Sequence, residues 1–289
     1  MSIRKATVTE ASNHHRFGGA WTEGKLQVLR DYLGFYTKAL KEQRFELVYI
    51  DSFAGTGRCQ IRVSKHEQKL IDGSAKIALD CTPGFHKYHF IESKKSHAGE
   101  LRNLIANHPN GARAKLDERA AADLLPSLLM SYDWKSTRGV LFLDPYGLQC
   151  TWNMIEKIAA TKALDVFFLV SLSGLYRQAA VDSRQIDGSK ASALTSFLGT
   201  DAWRKELYVH EQGGLFDGPT VTRAPGYQGI LKFMTDRLKK AFPYVGEPHL
   251  LGQSNGAPLF ALYFAVSNPS NAAKTLASRV SKEVLSKLR

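Results

Sequence analysis

The sequence predicts an α/β protein built on a doubly wound, mainly parallel sheet of seven strands, with a helical insertion and a C-terminal antiparallel hairpin. Apolar strand patterns alternate with helical patterns between residues 47 and 171. A loop of small residues follows the first strand, and two β-rich arms near the end of the chain flank a turn sequence. Strands and helices that alternate at this spacing form parallel sheets with right-handed crossovers.

The elements are predicted in order from hydrophobic periodicity. A helix is expected at 22–40, where apolar residues recur at helical spacing and Thr22 can cap the first turn. Strands are expected at 47–51, 88–92, 112–116, 139–143 and 165–171. Helices are expected at 74–81, 95–107, 118–130, 152–161, 226–241 and 272–289.

Three segments depart from this alternation. Residues 57–72 are predicted to form a polar, charged loop, a candidate lid or binding loop. Residues 175–224 are polar and irregular or helical, which indicates an insertion rather than another strand–helix unit. The final arms flank Gln253-Ser254-Asn255-Gly256, a good turn sequence. We therefore predict a polar tail at 1–21 and a single domain at 22–289.

Composition favours a basic protein of the cytoplasm. The net charge of +12 and the pI near 9.5 indicate a polyanionic partner, most simply RNA or DNA, although many basic proteins bind neither. No apolar run approaches the ~20 residues that span a bilayer, and the N-terminal residues lack the apolar core of a signal peptide. Cys59, Cys81 and Cys150 lack paired-ligand spacing, so neither a metal site nor a disulfide framework is predicted.

The segment LVYIDSFAGTGRC at 47–59 carries the first candidate site. An apolar strand ends in an acid and breaks into small residues, and glycine lets backbone amides approach a ligand closely. A phosphate loop would require Gly-Lys-Ser/Thr, and a dinucleotide site would require a third glycine where Gln60 stands. S-adenosylmethionine has no pyrophosphate and requires neither. The candidate cofactor contacts are Asp51, Phe53, Ala54, Gly55, Thr56 and Gly57.

Acids at the next two strand ends extend the predicted cofactor site. Glu92 ends the second strand, where a carboxylate can accept hydrogen bonds from both hydroxyls of a ribose; the alternative is a solvated strand-end carboxylate. Asp117 ends the third strand and is preferred over Glu118 as the acceptor for the adenine amino group.

Asp144-Pro145-Tyr146-Gly147 follows the fourth strand and predicts the reacting end of the site. An exocyclic amine is a weak nucleophile because its lone pair is delocalised into the ring. Asp144 and the carbonyl of Pro145 can hold the two amine hydrogens, and the ring of Tyr146 can stack on the base. A base in a duplex would first have to be flipped out. The alternative interpretation is a simple turn.

The chain resembles the three-Cys-motif partner (TcmP) family of bacterial proteins in stretches that span nearly its whole length. These are TEGKLQVLRDYLGFY (22–36), VYIDSFAGTGRC (48–59), DGSAKIAL (72–79), FIE (90–92), FLDPYG (142–147) and PLFALYFAVSNP (258–269). The resemblance implies a Rossmann-like class I methyltransferase fold. Because the family name refers to a cysteine motif in a neighbouring protein, a protein partner with a three-Cys motif is a further expectation.

The fourth motif is also similar to the Asp-Pro-Phe-Gly of tRNA guanine dimethyltransferases, and more distantly to the Asp-Pro-Pro-Tyr of adenine and cytosine amino-methyltransferases. Three functions remain open. The first is methylation by S-adenosylmethionine of an exocyclic amine on a nucleic-acid base, and the second is methylation of a small molecule or a protein. The third is a non-catalytic protein of the same fold that acts through its partner.

Overall fold

The computed structural model describes residues 20–62, 67–211, 220–224, 226–252 and 258–285. Its strands are β1 (Glu46–Asp51), β2 (Arg58–Arg62), β3 (Gln68–Asp72), β4 (Lys87–Ile91), β5 (Ala114–Asp117), β6 (Thr137–Leu143), β7 (Leu164–Ser171), β8 (Tyr208–Glu211), β9 (Thr220–Arg223), β10 (Tyr244–Val245), β11 (His249–Leu251) and β12 (Phe260–Val266). Its helices are α1 (Ala20–Leu40), α2 (Ser74–Leu79), α3 (Lys95–Ala106), α4 (Ala121–Met130), α5 (Trp152–Ala160), α6 (Leu172–Gln178), α7 (Gly188–Leu198), α8 (Trp203–Glu206), α9 (Gln228–Ala241) and α10 (Asn271–Leu285).

The central sheet has the order β5-β4-β1-β6-β7-β12-β10, and its first five strands are parallel. β12 runs antiparallel to β7 and pairs on its other side with β10 and then with β11. Since β10 and β11 lie end to end along β12, they act as one interrupted edge strand. The predicted mainly parallel sheet with a terminal antiparallel hairpin is therefore confirmed. The predicted turn at 253–256 lies outside the described residues.

Both faces of the sheet are covered by helices, as a doubly wound fold requires. Helices α4 to α9 pack on one face, and α1, α2, α3 and α10 pack on the other. Neighbouring residues of β7 show the alternation of a strand: Phe168 belongs to the first cluster and Phe167 to the second. The sheet is thus packed between two apolar layers. Because its first five strands are parallel, they all end at the same edge, called here the carboxyl edge.

Two predicted segments differ from the structure. Residues 57–72 contain the antiparallel pair β2 and β3, with Arg58 opposite Asp72 and Arg62 opposite Gln68, where the sequence predicted a loop. Most of their side chains are exposed or only partly buried, so the apolar alternation that reveals a strand is faint. In the insertion at 175–224, β8 and β9 form a second antiparallel pair that the sequence did not predict.

The remaining boundaries are close to their predicted positions. The first helix begins at Ala20, and the other residues of the predicted N-terminal tail lie outside the described ranges. The helix predicted at 118–130 begins at Ala121, because the preceding residues form the loop after β5. Within the described residues, no helix combines the length and the apolarity needed to cross a membrane.

Candidate active site at the carboxyl edge

A cavity of about 400 Å³ opens at the carboxyl edge. Its wall is formed by the loops that follow β1, β4, β5 and β6, with Phe53, Glu92, Arg119 and Tyr146 among the lining side chains. The carboxyl edge of an open parallel sheet is the usual place for a ligand in this class of fold. The sequence-predicted loops therefore do converge on one cavity.

Glu92 is buried at the centre of this wall. Its Oε2 accepts a hydrogen bond from the Gly55 backbone N at 2.9 Å, and its Oε1 accepts one from the Lys94 backbone N at 2.8 Å. The carboxylate thus fixes the first loop against the second strand end. Each of its oxygens has a further lone pair that a ligand hydroxyl can use.

The loop after β1 turns sharply through two left-handed glycines. Gly55 has φ of 61° and Gly57 has φ of 78°, which side chains with a Cβ rarely adopt. A Cβ on Gly57 would also lie 2.8 Å from a methyl carbon of Leu104. Ala54 donates its backbone N–H to the Ile91 carbonyl at 3.0 Å. Thr56 donates its hydroxyl to the Arg58 carbonyl at 2.8 Å.

Of the predicted loop residues, Phe53 lines the cavity, while Ala54, Gly55, Thr56 and Gly57 shape the loop behind it. The wall also contains Ser52, which the sequence pattern did not single out. Its side chain is buried, and its Oγ has no hydrogen-bond partner within the described residues. A buried hydroxyl without a partner is costly unless something else satisfies it, which makes this position a candidate ligand contact.

Asp51 lies beneath the cavity rather than on its wall. The carboxyl group is fully buried, and it accepts hydrogen bonds from the Phe53 backbone N at 3.3 Å and from the Tyr49 hydroxyl at 3.4 Å. Burial raises the pKa of Asp51 to about 7, partly offset by hydrogen bonds from Ser74 and Phe53, and the charge of Asp144 raises it further. Asp51 therefore supports the loop from behind and is not among the side chains that line the cavity.

Asp117 also turns away from the cavity. Both of its carboxylate oxygens accept hydrogen bonds from the Arg119 guanidinium, at 2.8 and 2.9 Å, and this pairing holds the pKa of Asp117 at about 2. The competing candidate, Glu118, pairs with Arg102. The wall at this point consists of Arg119 and the alanines at 120–122. The structure thus brings Arg119, and not either acid, to the cavity.

Asp144 forms an ion pair with Lys25 that the sequence pattern did not predict. The Lys25 Nζ on α1 lies 2.5 Å from the Asp144 Oδ2, with side-chain exposures of 6% and 30%. The Lys25 ammonium also lies 5.6 and 5.8 Å from the ring centres of Trp21 and Phe142. Lys25 stands four residues after Trp21 and four before the buried Leu29. Lys25 therefore lies on the apolar face of α1, and a lysine at such a position indicates a buried charge that needs an acidic partner.

The other three residues of the Asp-Pro-Tyr-Gly motif form the turn that follows Asp144. Pro145 is buried, whereas Tyr146 is 47% exposed and lines the cavity. Gly147 has φ of 61°, which completes the sharp turn. Burial, followed by the charges of Glu92 and Asp144, raises the pKa of the Tyr146 hydroxyl to about 12. The structure therefore brings the ring of Tyr146 and the carboxylate of Glu92 to the same cavity.

No model of a known protein family matches the chain, and no curated protein matches it. Among solved structures, the chain is similar to protein LPL1258 from Legionella pneumophila, of family DUF519, with 11% identity, a TM-score of 0.52 and coverage of 94% of this chain and 93% of that one. It is also similar to spermidine synthase from Thermotoga maritima, with 12% identity, a TM-score of 0.39 and coverage of 92% and 75%. A third similar structure is magnesium protoporphyrin IX methyltransferase from Synechocystis with bound SAH, with 12% identity, a TM-score of 0.36 and coverage of 84% of each chain. The first likeness supports the fold alone, and the resemblance to the TcmP family stays a prediction.

Proposed function

We propose that this chain is a methyltransferase that uses S-adenosylmethionine to methylate an exocyclic amine of a nucleic-acid base, in RNA or DNA. One observation carries the proposal. Asp144, held by the buried ammonium of Lys25 at 2.5 Å, stands at the same sheet edge as the cavity that contains Glu92 and Tyr146. A fixed acceptor for an amine and a fixed acceptor for a ribose are the two parts that this chemistry needs.

The cavity has groups that fit the cofactor. Glu92 can accept hydrogen bonds from the ribose hydroxyls, the buried Ser52 hydroxyl has no other partner within the described residues, and Phe53 offers an apolar wall. When bound, the cofactor supplies an electrophilic methyl group on a sulfonium. Glu92 would also keep its two backbone partners, so the loop is already arranged before a ligand enters.

Asp144 is arranged to receive an amine. Lys25 occupies Oδ2, and the described residues give Oδ1 no hydrogen-bond partner. Oδ1 and the Pro145 carbonyl can then hold the two amine hydrogens. Methylation of that amine would require its nitrogen to lose one proton. The partly exposed carboxylate can accept that proton or pass it to solvent.

A nucleic-acid substrate is supported by charge and by the ring at the site. The chain carries a net charge of +12, and Lys94 and Arg119 line the cavity, which favours an anionic substrate. Tyr146 is exposed beside the cavity, where a flipped or single-stranded base could stack on it.

The two alternatives make different predictions. A methyltransferase of a small molecule or a protein would bind the cofactor but would show no salt-dependent binding to RNA or DNA. A non-catalytic protein of this fold, acting through a partner such as one with a three-Cys motif, would transfer no methyl group to any acceptor. The presence of both Glu92 and Asp144 at one edge of the sheet favours catalysis over the second alternative.

The test is transfer of tritiated methyl groups from S-adenosylmethionine to total RNA, genomic DNA and cell extract, each assayed separately. We expect incorporation into one of the nucleic acids, lost in Asp144→Ala. The control is Asp236→Ala, because Asp236 also pairs with a lysine at 2.5 Å but on the exposed surface of α9. Incorporation only into extract protein or small molecules would contradict the nucleic-acid substrate. Absence of cofactor binding would contradict the proposal as a whole.

A further inference from the structure

A second cavity, of about 440 Å³, lies at the opposite edge of the sheet, where β6 and β7 begin. It is enclosed by α1 and α10, and we call it the amino-edge pocket. Its volume is within the range of small-molecule sites, roughly 300–1,000 Å³. None of the residues of the candidate active site lines it.

The walls of the amino-edge pocket are mainly apolar. Tyr36 and Leu40 of α1 and Ala277 and Val280 of α10 face it, together with Phe45. Two large apolar side chains of the same lining, Phe35 and Leu276, are 37% and 42% exposed. A ligand with an apolar body would cover both and would remove them from water.

One acid stands in this apolar lining. Asp165 is the second residue of β7, and its Oδ2 accepts a hydrogen bond from the Tyr32 hydroxyl at 2.5 Å. The described residues give Asp165 Oδ1 no hydrogen-bond partner. They also place no lysine, arginine or histidine nitrogen within 4.0 Å of the carboxylate. The acid is therefore only partly satisfied by the protein, in a place where an unpaired charge is costly.

Arg138 is the other charged residue of the lining, and the protein itself holds it in place. Its Nη1 donates to the carbonyls of Trp134 and Thr137 at 2.8 and 2.7 Å, and its guanidinium lies 4.1 Å from the ring centre of Phe45. Its positive charge acts on Asp165 from a distance, without a direct contact. The position nearest the free carboxylate oxygen is thus left for another cation.

We propose that the amino-edge pocket binds a small organic amine, with its ammonium group on Asp165 Oδ1 and its hydrocarbon body between α1 and α10. An ammonium supplies several N–H donors to a carboxylate that has one donor from Tyr32. The aromatic ring of Tyr36, which also lines the pocket, favours a cation nearby through its electron-rich face. This site is independent of the proposed methyl transfer.

The test compares three compounds of the same shape by isothermal titration calorimetry with the full chain. They are 4-phenylbutylamine, the neutral 4-phenyl-1-butanol and the anionic 4-phenylbutanoic acid. We expect the amine to bind at least tenfold more tightly than either of the others. Tighter binding of the acid would show that Arg138 is the charged contact for the ligand. Equal binding of the amine and the alcohol would show that Asp165 does not favour a positively charged ligand. Either result, or no binding of the amine, would overturn the proposal.

Two variants locate the site. Asp165→Asn keeps the size of the side chain and removes the charge, so it should fold and should bind the amine at least tenfold more weakly. Ala277→Leu fills the pocket from α10 and should abolish binding of all three compounds. The control Asp182→Asn changes an acid that pairs with the exposed Arg184 outside the pocket, and it should bind like the wild type. An amine affinity unchanged in Asp165→Asn, with its fold verified by circular dichroism, would contradict the proposed anchor.

Discussion

The two edges of the sheet each contain a carboxyl group whose pKa burial raises to about 7, yet their surroundings differ. Asp51 at the carboxyl edge accepts from a backbone N–H and is overlain by the loop after β1. Asp165 at the amino edge accepts from Tyr32 and faces a cavity made of helix side chains. The neighbouring cavities have similar volumes, about 400 and 440 Å³. Their difference lies in the chemistry of the walls.

The carboxyl edge is rich in backbone donors because the loops after the parallel strands meet there. Glu92 accepts hydrogen bonds from two backbone N–H groups and Asp144 pairs with a lysine, so the protein itself fixes the positions of these acids. The amino-edge pocket offers Asp165 one hydroxyl and an apolar lining. Removal of an acid should therefore cost activity at the first edge and should increase stability at the second.

The largest effect is expected from Asp165→Asn. Burial raises the pKa of the Asp165 carboxyl to about 7 in the native state, from its ordinary value of 3.8. The native state thus binds more protons between these values, and its stability falls as the pH rises from about 4 through 7. Asparagine resembles the protonated acid and avoids this loss. The variant should equal the wild type near pH 4 and exceed it by up to about 4 kcal/mol near pH 8.

Urea unfolding of both proteins at pH 4, 6 and 8 measures this difference. The matched control is Asp182→Asn, which removes a partly exposed acid whose pKa is lowered by Arg184 and which should show no gain at high pH. If the difference in unfolding free energy between Asp165→Asn and the wild type were the same at every pH, Asp165 would not be the group whose ionisation lowers the stability.

At the carboxyl edge, Asp144→Ala should raise the barrier to methyl transfer by about 2.7–4 kcal/mol, the scale for loss of a preorganised polar group at a reacting centre. Cofactor affinity should stay close to normal, because Asp144 does not line the cavity around Glu92. Single-turnover methylation and cofactor titration measure the two effects separately. A wild-type rate of Asp144→Ala on the true substrate would show that Asp-Pro-Tyr-Gly is only a turn and does not hold the amine.

Glu92→Ala should weaken cofactor binding by about 1.5–3 kcal/mol, the loss expected for a charged hydrogen-bond acceptor. Part of this loss comes from the loop, because the backbone N–H groups of Gly55 and Lys94 lose their acceptor. Glu92→Gln keeps one acceptor oxygen and should lose less. Calorimetry that gives the same affinity for both variants and the wild type would remove Glu92 from the binding site.

The sequence alone predicts the positions of these acids but not all of their contacts. Periodicity identifies the strands, and parallel topology places Asp51, Glu92 and Asp144 at one edge. The sequence does not predict the direction in which each of these side chains points. Asp117 turns to Arg119 through a local hydrogen bond, and Lys25 reaches Asp144 across 119 residues of chain. Periodicity contains no information about such tertiary contacts. The strands β2 and β3 were missed because their exposed faces lack an apolar pattern.

The smallest effect concerns two lysine–aspartate pairs with the same 2.5 Å separation. Lys25 in the pair with Asp144 is buried, whereas Lys232 and Asp236 on α9 are exposed. Lys25→Met leaves a partly buried carboxylate without its partner and should lower the free energy of unfolding by about 1–3 kcal/mol. Lys232→Met should lower it by less than about 1 kcal/mol, since solvent and salt already weaken an exposed pair.

The double variant Lys25→Met with Asp144→Ala separates stability from function. It removes both charges, so no buried ion is left unpaired, and it should be more stable than Asp144→Ala alone. Methyl transfer should nevertheless stay as slow as in Asp144→Ala, because the acceptor for the amine is still missing. Urea unfolding and single-turnover rates for the four members of the cycle give both answers. If the double variant recovered the rate, Lys25 and Asp144 would be a structural pair, and the amine would be held elsewhere.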